Sequence, residues 1–144
     1  MNTHSPGAQR LAHWHLGCQV EAAPLIEAVS DREELEILVR LDSLASGPQI
    51  RIVFDAQVAY RNIDESYRDA TWMEHAKNAV GFHRVENSRW LAWLRQEAAG
   101  ILENVPLVHY AIFTEADCID VASAFEPEVS IHPPGAACPG ELKA

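Results

Sequence analysis

Leu107-Val-His-Tyr-Ala-Ile-Phe-Thr-Glu-Ala-Asp-Cys-Ile-Asp-Val-Ala-Ser-Ala-Phe125 is the stretch on which the reading of this chain turns. Two short apolar runs flank a polar segment at residues 114–117, the pattern of two strands joined by a tight turn. His109 shares a strand face with Leu107, Ala111 and Phe113. Asp120 points away from its neighbours Ile119 and Val121. Polar side chains embedded in strands are costly unless paired or used. His109 with Asp117 or Asp120 would supply a base and an orienting carboxylate. Pairing across 114–117, however, sets His109 near residue 122 and not opposite Asp120, and no nucleophile with an obvious base accompanies them. The preferred reading is therefore a buried, hydrogen-bonded histidine that fixes sheet register.

Upstream, Leu35, Ile37, Val39 and Leu41 share one face, and Ile50, Ile52 and Phe54 share another, with a break at Ser46-Gly47-Pro48. These runs read as an antiparallel hairpin. Ala56 to Arg61 reads as a third strand after a bend at Asp55, and Val80 to Val85 as a fourth. Gln19 to Val29 has helical composition, with Pro24 placed best in a first turn. Ala8 to Leu16 fits a short helix or a strand. Asn62 to Asp69 reads as a loop or helical turn. The strongest helix runs from Ser88 to Leu102, capped by Asn87 or Ser88, with Leu91, Leu94, Ala98 and Ile101 in helical period and Trp90 and Trp93 widening the apolar face.

Strands in neighbouring runs, without regular βαβ units, predict an α+β fold: a mostly antiparallel twisted sheet with helices packed on one face. The 144 residues suit one domain over residues 1–131. Residues 132–144 read as a flexible tail rich in Pro and Gly.

The formal charge is −10. A chain this acidic is repelled by nucleic-acid phosphates and by anionic membrane surfaces, so neither is expected as a partner. A basic protein is the natural complement. No apolar run reaches the length of a membrane helix, and the first ten residues lack the apolar core of a signal peptide. Three cysteines, Cys18, Cys118 and Cys138, form no close-spaced pair, which fits reduced thiols and a cytoplasmic location. GxGxxG, Walker A, HExxH and GxSxG patterns are absent. His13-x-His15 is a weak metal signal, since no spacing selects a third ligand among His75, His83 and His109, so no metal or other cofactor is expected.

A second polar cluster is Tyr60-Arg-Asn-Ile-Asp-Glu65. Arg61 can pair with Asp64 or Glu65. Alternatively, Asp64 and Glu65 join Glu115 and Asp117 of the hairpin turn in an acidic patch suited to a basic partner. Trp72, in a polar setting, is the candidate exposed anchor for such a partner. Tyr60, Arg61, His109, Tyr110 and Asp120 are read as structural polar residues.

Four short motifs, Val58-Ala-Tyr-Arg-Asn-Ile-Asp-Glu65, Val85-Glu-Asn-Ser88 before the Trp-containing helix, His109-Tyr110 and Asp117-Cys-Ile-Asp-Val121, resemble as a set a group of small bacterial proteins. Some members of that group look like immunity proteins of polymorphic toxin systems. The resemblance covers roughly residues 35–130. It implies a non-catalytic protein that binds and neutralises a cognate toxin through its surface. The alternative is a small-ligand-binding or enzymatic domain with a pocket built from His109, Tyr110 and Asp120. A third, structural possibility is a homodimer built through a sheet edge.

Overall fold

Leu35, Ile37 and Val39 are wholly buried, while Glu36, Leu38 and Arg40 between them are half-buried. That alternation is what a strand with one face on a core requires. The computed structural model describes residues 7–16, 23–41, 48–75 and 79–132. In chain order these form β1 (Arg10–His13), β2 (Leu25–Asp31), β3 (Leu35–Arg40), β4 (Gln49–Phe54), β5 (Gln57–Asp64), a 3₁₀ turn (Glu65–Tyr67), α1 (Asp69–His75), β6 (Gly81–Glu86), α2 (Arg89–Glu97), β7 (Val108–Phe113), β8 (Asp117–Ser123) and β9 (Glu128–His132). Among the described residues no helix is long and apolar enough to cross a membrane.

The protein is an α+β fold, and its strands divide into two antiparallel sheets. One has the order β1-β6-β7-β8-β5, the other β2-β3-β4-β9. The main core lies between them. Leu35, Ile37, Val39, Ile50, Ile52 and Phe54 of the four-stranded sheet meet Phe82, Tyr110, Ile112, Ile119 and Val121 of the five-stranded one. Trp14, just past β1, packs on Phe54, Phe82 and Tyr110. Each fully buried apolar side chain here contributes about 1.5–3 kcal/mol, which makes this layer the main source of stability.

The opposite face of the five-stranded sheet carries Val85, Ala111, Phe113 and Cys118, against which Trp72 of α1 packs. Trp90 of α2 lies edge-on to His109 on the same face. Both helices thus cover one face, and β7 and β8 are buried on both of theirs. That double burial makes the polar residues of these two strands consequential.

Four expectations change in detail. Gln19 to Val29 is not helical where described: β2 is a strand paired with β3. A register shift between Ile26 and Ala28 places Ile26 opposite Val39 and Val29 opposite Ile37. The β-bulge at Glu27 thus gives core residues a three-residue spacing, which in sequence looks helical. β5 leaves the hairpin sheet after the bend at Asp55 and pairs with β8. α2 ends at Glu97, because Ala99 and Gly100 adopt positive φ of 50° and 96°. Ile101 therefore falls outside the helical period and is exposed, as is Trp93. Finally, β9 adds a strand after Pro127, and Val129 and Ile131 turn toward the core. The tail reading over 132–144 falls, apart from His132 at the end of β9, outside the described residues.

Candidate functional site

Asp120 is fully buried and His109 is 3% exposed, both on the helix-covered face of the five-stranded sheet. His109 Nε2 lies 2.6 Å from Asp120 Oδ1. His109 Nδ1 lies 2.6 Å from the Ser88 hydroxyl. Ser88 caps α2, its oxygen accepting the Leu91 N–H at 3.1 Å. Asn87, at φ 53°, makes the sharp passage from β6 to that cap; asparagine is among the few residues that adopt this conformation readily.

The partners suit one tautomer of His109. The Ser88 oxygen accepts from the backbone and its O–H is free to donate to Nδ1, an arrangement in which Nε2–H donates to Asp120. Two guanidiniums complete the shell of the other carboxylate oxygen: Arg61 Nε at 2.9 Å and Arg68 Nη1 at 2.6 Å, both on Oδ2. Burial alone would raise the Asp120 carboxyl. The bond from His109 and the charges of Arg68 and Arg61 outweigh it and hold the group well below the usual carboxylate range. Arg68 is itself buried, with Nε on the Thr71 hydroxyl and its guanidinium over the Phe113 ring. The Arg61 guanidinium lies 4.8 Å from the centre of the Trp90 ring.

Serine, imidazole and carboxylate in a hydrogen-bonded row are the components of nucleophilic acyl transfer. Here both ends of the row also have a structural partner. The Ser88 oxygen is committed to the helix cap, and Asp120 is shared with two arginines. The arrangement joins α2, β7, β8, β5 and the segment before α1 through one buried carboxylate.

Above this network opens a cleft of about 710 Å³. Its lining includes the polar Arg61, Arg68, His109 and Asp120, the apolar Trp90, Trp93 and Leu94, and Arg89. Arg89 is neutralised there by a two-point pair with Glu74.

The sequence-derived candidates fall into three places. Asp64 and Asp117 are register partners at one end of β5 and β8, and the Glu65 N–H donates to the Ala116 carbonyl at 2.9 Å. Asp64, Glu65, Glu115 and Asp117 are therefore brought together. Hydrogen bonds from the Ser66 hydroxyl and N–H hold the Asp64 carboxyl below its ordinary value. Arg61 pairs with neither Asp64 nor Glu65. It stands directly opposite Asp120 in the β5–β8 register, whereas Asp64, three residues on, faces the other way. Trp72 is half-buried: its ring packs on Phe113 and its indole N–H donates to the Glu65 carbonyl at 3.0 Å. Tyr60 is exposed. Tyr110 points into the core between the sheets, so a single pocket shared by His109, Tyr110 and Asp120 does not form.

Arg68 and Thr71 enter the network with no sequence signal, while Trp90 stands out in the sequence only as part of a helix's apolar face and Ser88 only as its cap. A lone arginine in a polar stretch gives no signal of burial. His13 and His83 are cross-strand partners, and the His13 and His15 rings lie 4.1 Å apart. Among the described residues, no group of three or more His, Cys, Asp or Glu is placed to hold a metal ion. Comparisons with protein-family models, with curated proteins and with solved structures found no match.

Proposed function

We propose that this chain is a non-catalytic partner-binding domain that meets a basic protein surface, acting in the cytoplasm as an immunity protein against a bacterial toxin domain. The observation that carries this reading is the register pair Asp64 and Asp117. It gathers Asp64, Glu65, Glu115 and Asp117, four carboxylates from two segments distant in sequence, at one end of the five-stranded sheet. The net charge of −10 extends the same field over the molecule and favours rapid encounter with a cationic partner. The resemblance of the Tyr60 and Asp117 motifs to immunity-like proteins points the same way. His109 and Asp120 support it indirectly, since both are buried and fully hydrogen-bonded.

Co-purification with the toxin domain encoded beside this gene tests the reading. Binding is expected to weaken steeply with salt. Reversing all four charges to lysine is expected to lower affinity by at least about tenfold. Failure of any adjacent gene product to bind, or affinity unchanged by charge reversal, would overturn it.

A further inference from the structure

Arg61 and Arg68 both donate to the same oxygen of Asp120. One carboxylate cannot balance two guanidiniums. His109 adds no negative charge in either protonation state, so the group keeps a net positive charge, in a protein whose overall charge is −10. Arg89 adds nothing to this excess, because Glu74 holds it. Arg68 is buried against Asp120, while the Arg61 side chain is 36% exposed and presents the excess charge where an anion can reach it. The charge is not sealed in the core: both arginines line the 710 Å³ cleft.

Arg61 is arranged to receive that pairing group. It uses only Nε on Asp120, and its two terminal nitrogens have no acceptor among the described residues. Stacking on Trp90 and the bond to Asp120 fix the guanidinium plane in advance, so little freedom remains to be lost on binding. Beside it the cleft turns apolar. Trp93, 53% exposed, and Leu94 line it next to Trp90. The volume falls within the range of about 300–1,000 Å³ typical of small-molecule sites.

We propose that this cleft binds a small organic anion, with its carboxylate or phosphate on Arg61 and Arg68 and an apolar or aromatic body against Trp90, Trp93 and Leu94. A planar oxyanion matches the fork of a guanidinium, and an aromatic ring matches the exposed indole. The surrounding negative field repels polyanions, which selects a ligand of low charge. The site uses none of the carboxylates at the Asp64–Asp117 end, so it stands or falls separately from the partner-binding reading.

The full chain titrated with benzoate, phenyl phosphate, inorganic phosphate and neutral benzamide, with tryptophan fluorescence and thermal unfolding as readouts, tests this site. Benzoate or phenyl phosphate is expected to give a saturable fluorescence change and a raised melting temperature. The preferred one of the two identifies the oxyanion. Benzamide is expected to do neither, and inorganic phosphate to bind at least about tenfold more weakly than the aromatic anion. Arg61→Gln is expected to weaken the aromatic anion by at least about tenfold, with circular dichroism unchanged. Should that variant unfold, Arg61→Lys, which keeps the charge and loses the fork, is expected to weaken binding severalfold. No saturable response at millimolar anion, an equal response to benzamide, or binding indifferent to both Arg61 variants would overturn the proposal.

Discussion

His109 and Asp120 are hydrogen-bonded at 2.6 Å although they are not cross-strand partners. His109 stands opposite Ala122, and Asp120 stands opposite Ala111. They are diagonal neighbours on one face of the β7–β8 hairpin, a separation that an imidazole spans easily. Through this bond the hairpin is tied to the α2 cap at Ser88 and to Arg61 and Arg68 on the far side. The same face of the sheet therefore holds both the stabilising lock and the floor of the cleft.

Removing the carboxylate at the centre of this lock is expected to be severe. Asp120→Ala leaves Arg68 buried with its charge uncompensated, a change that costs on the order of 3–5 kcal/mol. Ser88→Ala removes one cap and one bond to His109, and about 0.5–2 kcal/mol is expected. Urea unfolding of the two variants measures both. An Asp120→Ala variant as stable as the parent would show that the network does not hold the fold.

Acid is expected to unfold the chain in two stages. His83 is held below its ordinary value chiefly by burial, which outweighs the opposing hydrogen bond with the Ala79 carbonyl and is reinforced by the charges of His75 and His13. Its folded form resists protonation more than its unfolded form, so the stability it supports is full above about pH 6.5 and is lost as pH falls below that value. Asp120, also lowered on folding, supports stability that is full above about pH 4 and falls away below it. The difference in urea midpoint between the parent and His83→Gln, followed from pH 8 to pH 3, isolates the first stage from the general relief of charge repulsion. His83→Gln is expected to lose less stability than the parent between about pH 7 and pH 5. Parallel curves would remove His83 from the account.

Period-2 alternation made β3, β4, β7 and β8 legible, because each buries at least one face against apolar neighbours. The turn at 114–117 also fixed the true register, placing His109 opposite residue 122. What stayed hidden depended on insertions and on long-range pairing. One bulged residue at Glu27 converted the strand β2 into a helix-like spacing. Nothing local to Arg68 indicates that it reaches Asp120, 52 positions away. Diagonal contact between His109 and Asp120 was invisible to a test of directly opposed residues. The Asp64–Asp117 end was foreseen as a patch because both segments are visibly acidic, but only the β5–β8 register places them side by side.

Tyr110 supplies a prediction of opposite sign. Its ring packs against Trp14 and Phe54 between the sheets, and its hydroxyl is buried with no hydrogen-bond partner among the described residues. Burial correspondingly raises the phenol above its ordinary value. Phenylalanine keeps the ring contacts and removes an oxygen that was desolvated without compensation. Tyr110→Phe is therefore expected to raise stability by on the order of 1 kcal/mol in urea unfolding. A clear loss would reveal a bound partner for the hydroxyl, such as an ordered water.

Cys118 lies on the helix-covered face of β8, beside the lock yet fully buried. Burial pushes its thiol up to about 11, with the nearby Arg68 charge offsetting only part of the effect. The reactive species is the thiolate, so near neutral pH this cysteine should be almost inert in the folded chain. Its labelling by a maleimide or iodoacetamide probe therefore reports opening of the sheet. In a Cys18→Ser, Cys138→Ser background, alkylation at pH 8 is expected to be slow, and to accelerate sharply across the urea transition that Asp120→Ala brings to lower denaturant. Rapid labelling under native conditions would mean that the α1 layer over Phe113 and Cys118 opens readily, and that the lock at Asp120 does not hold that layer in place.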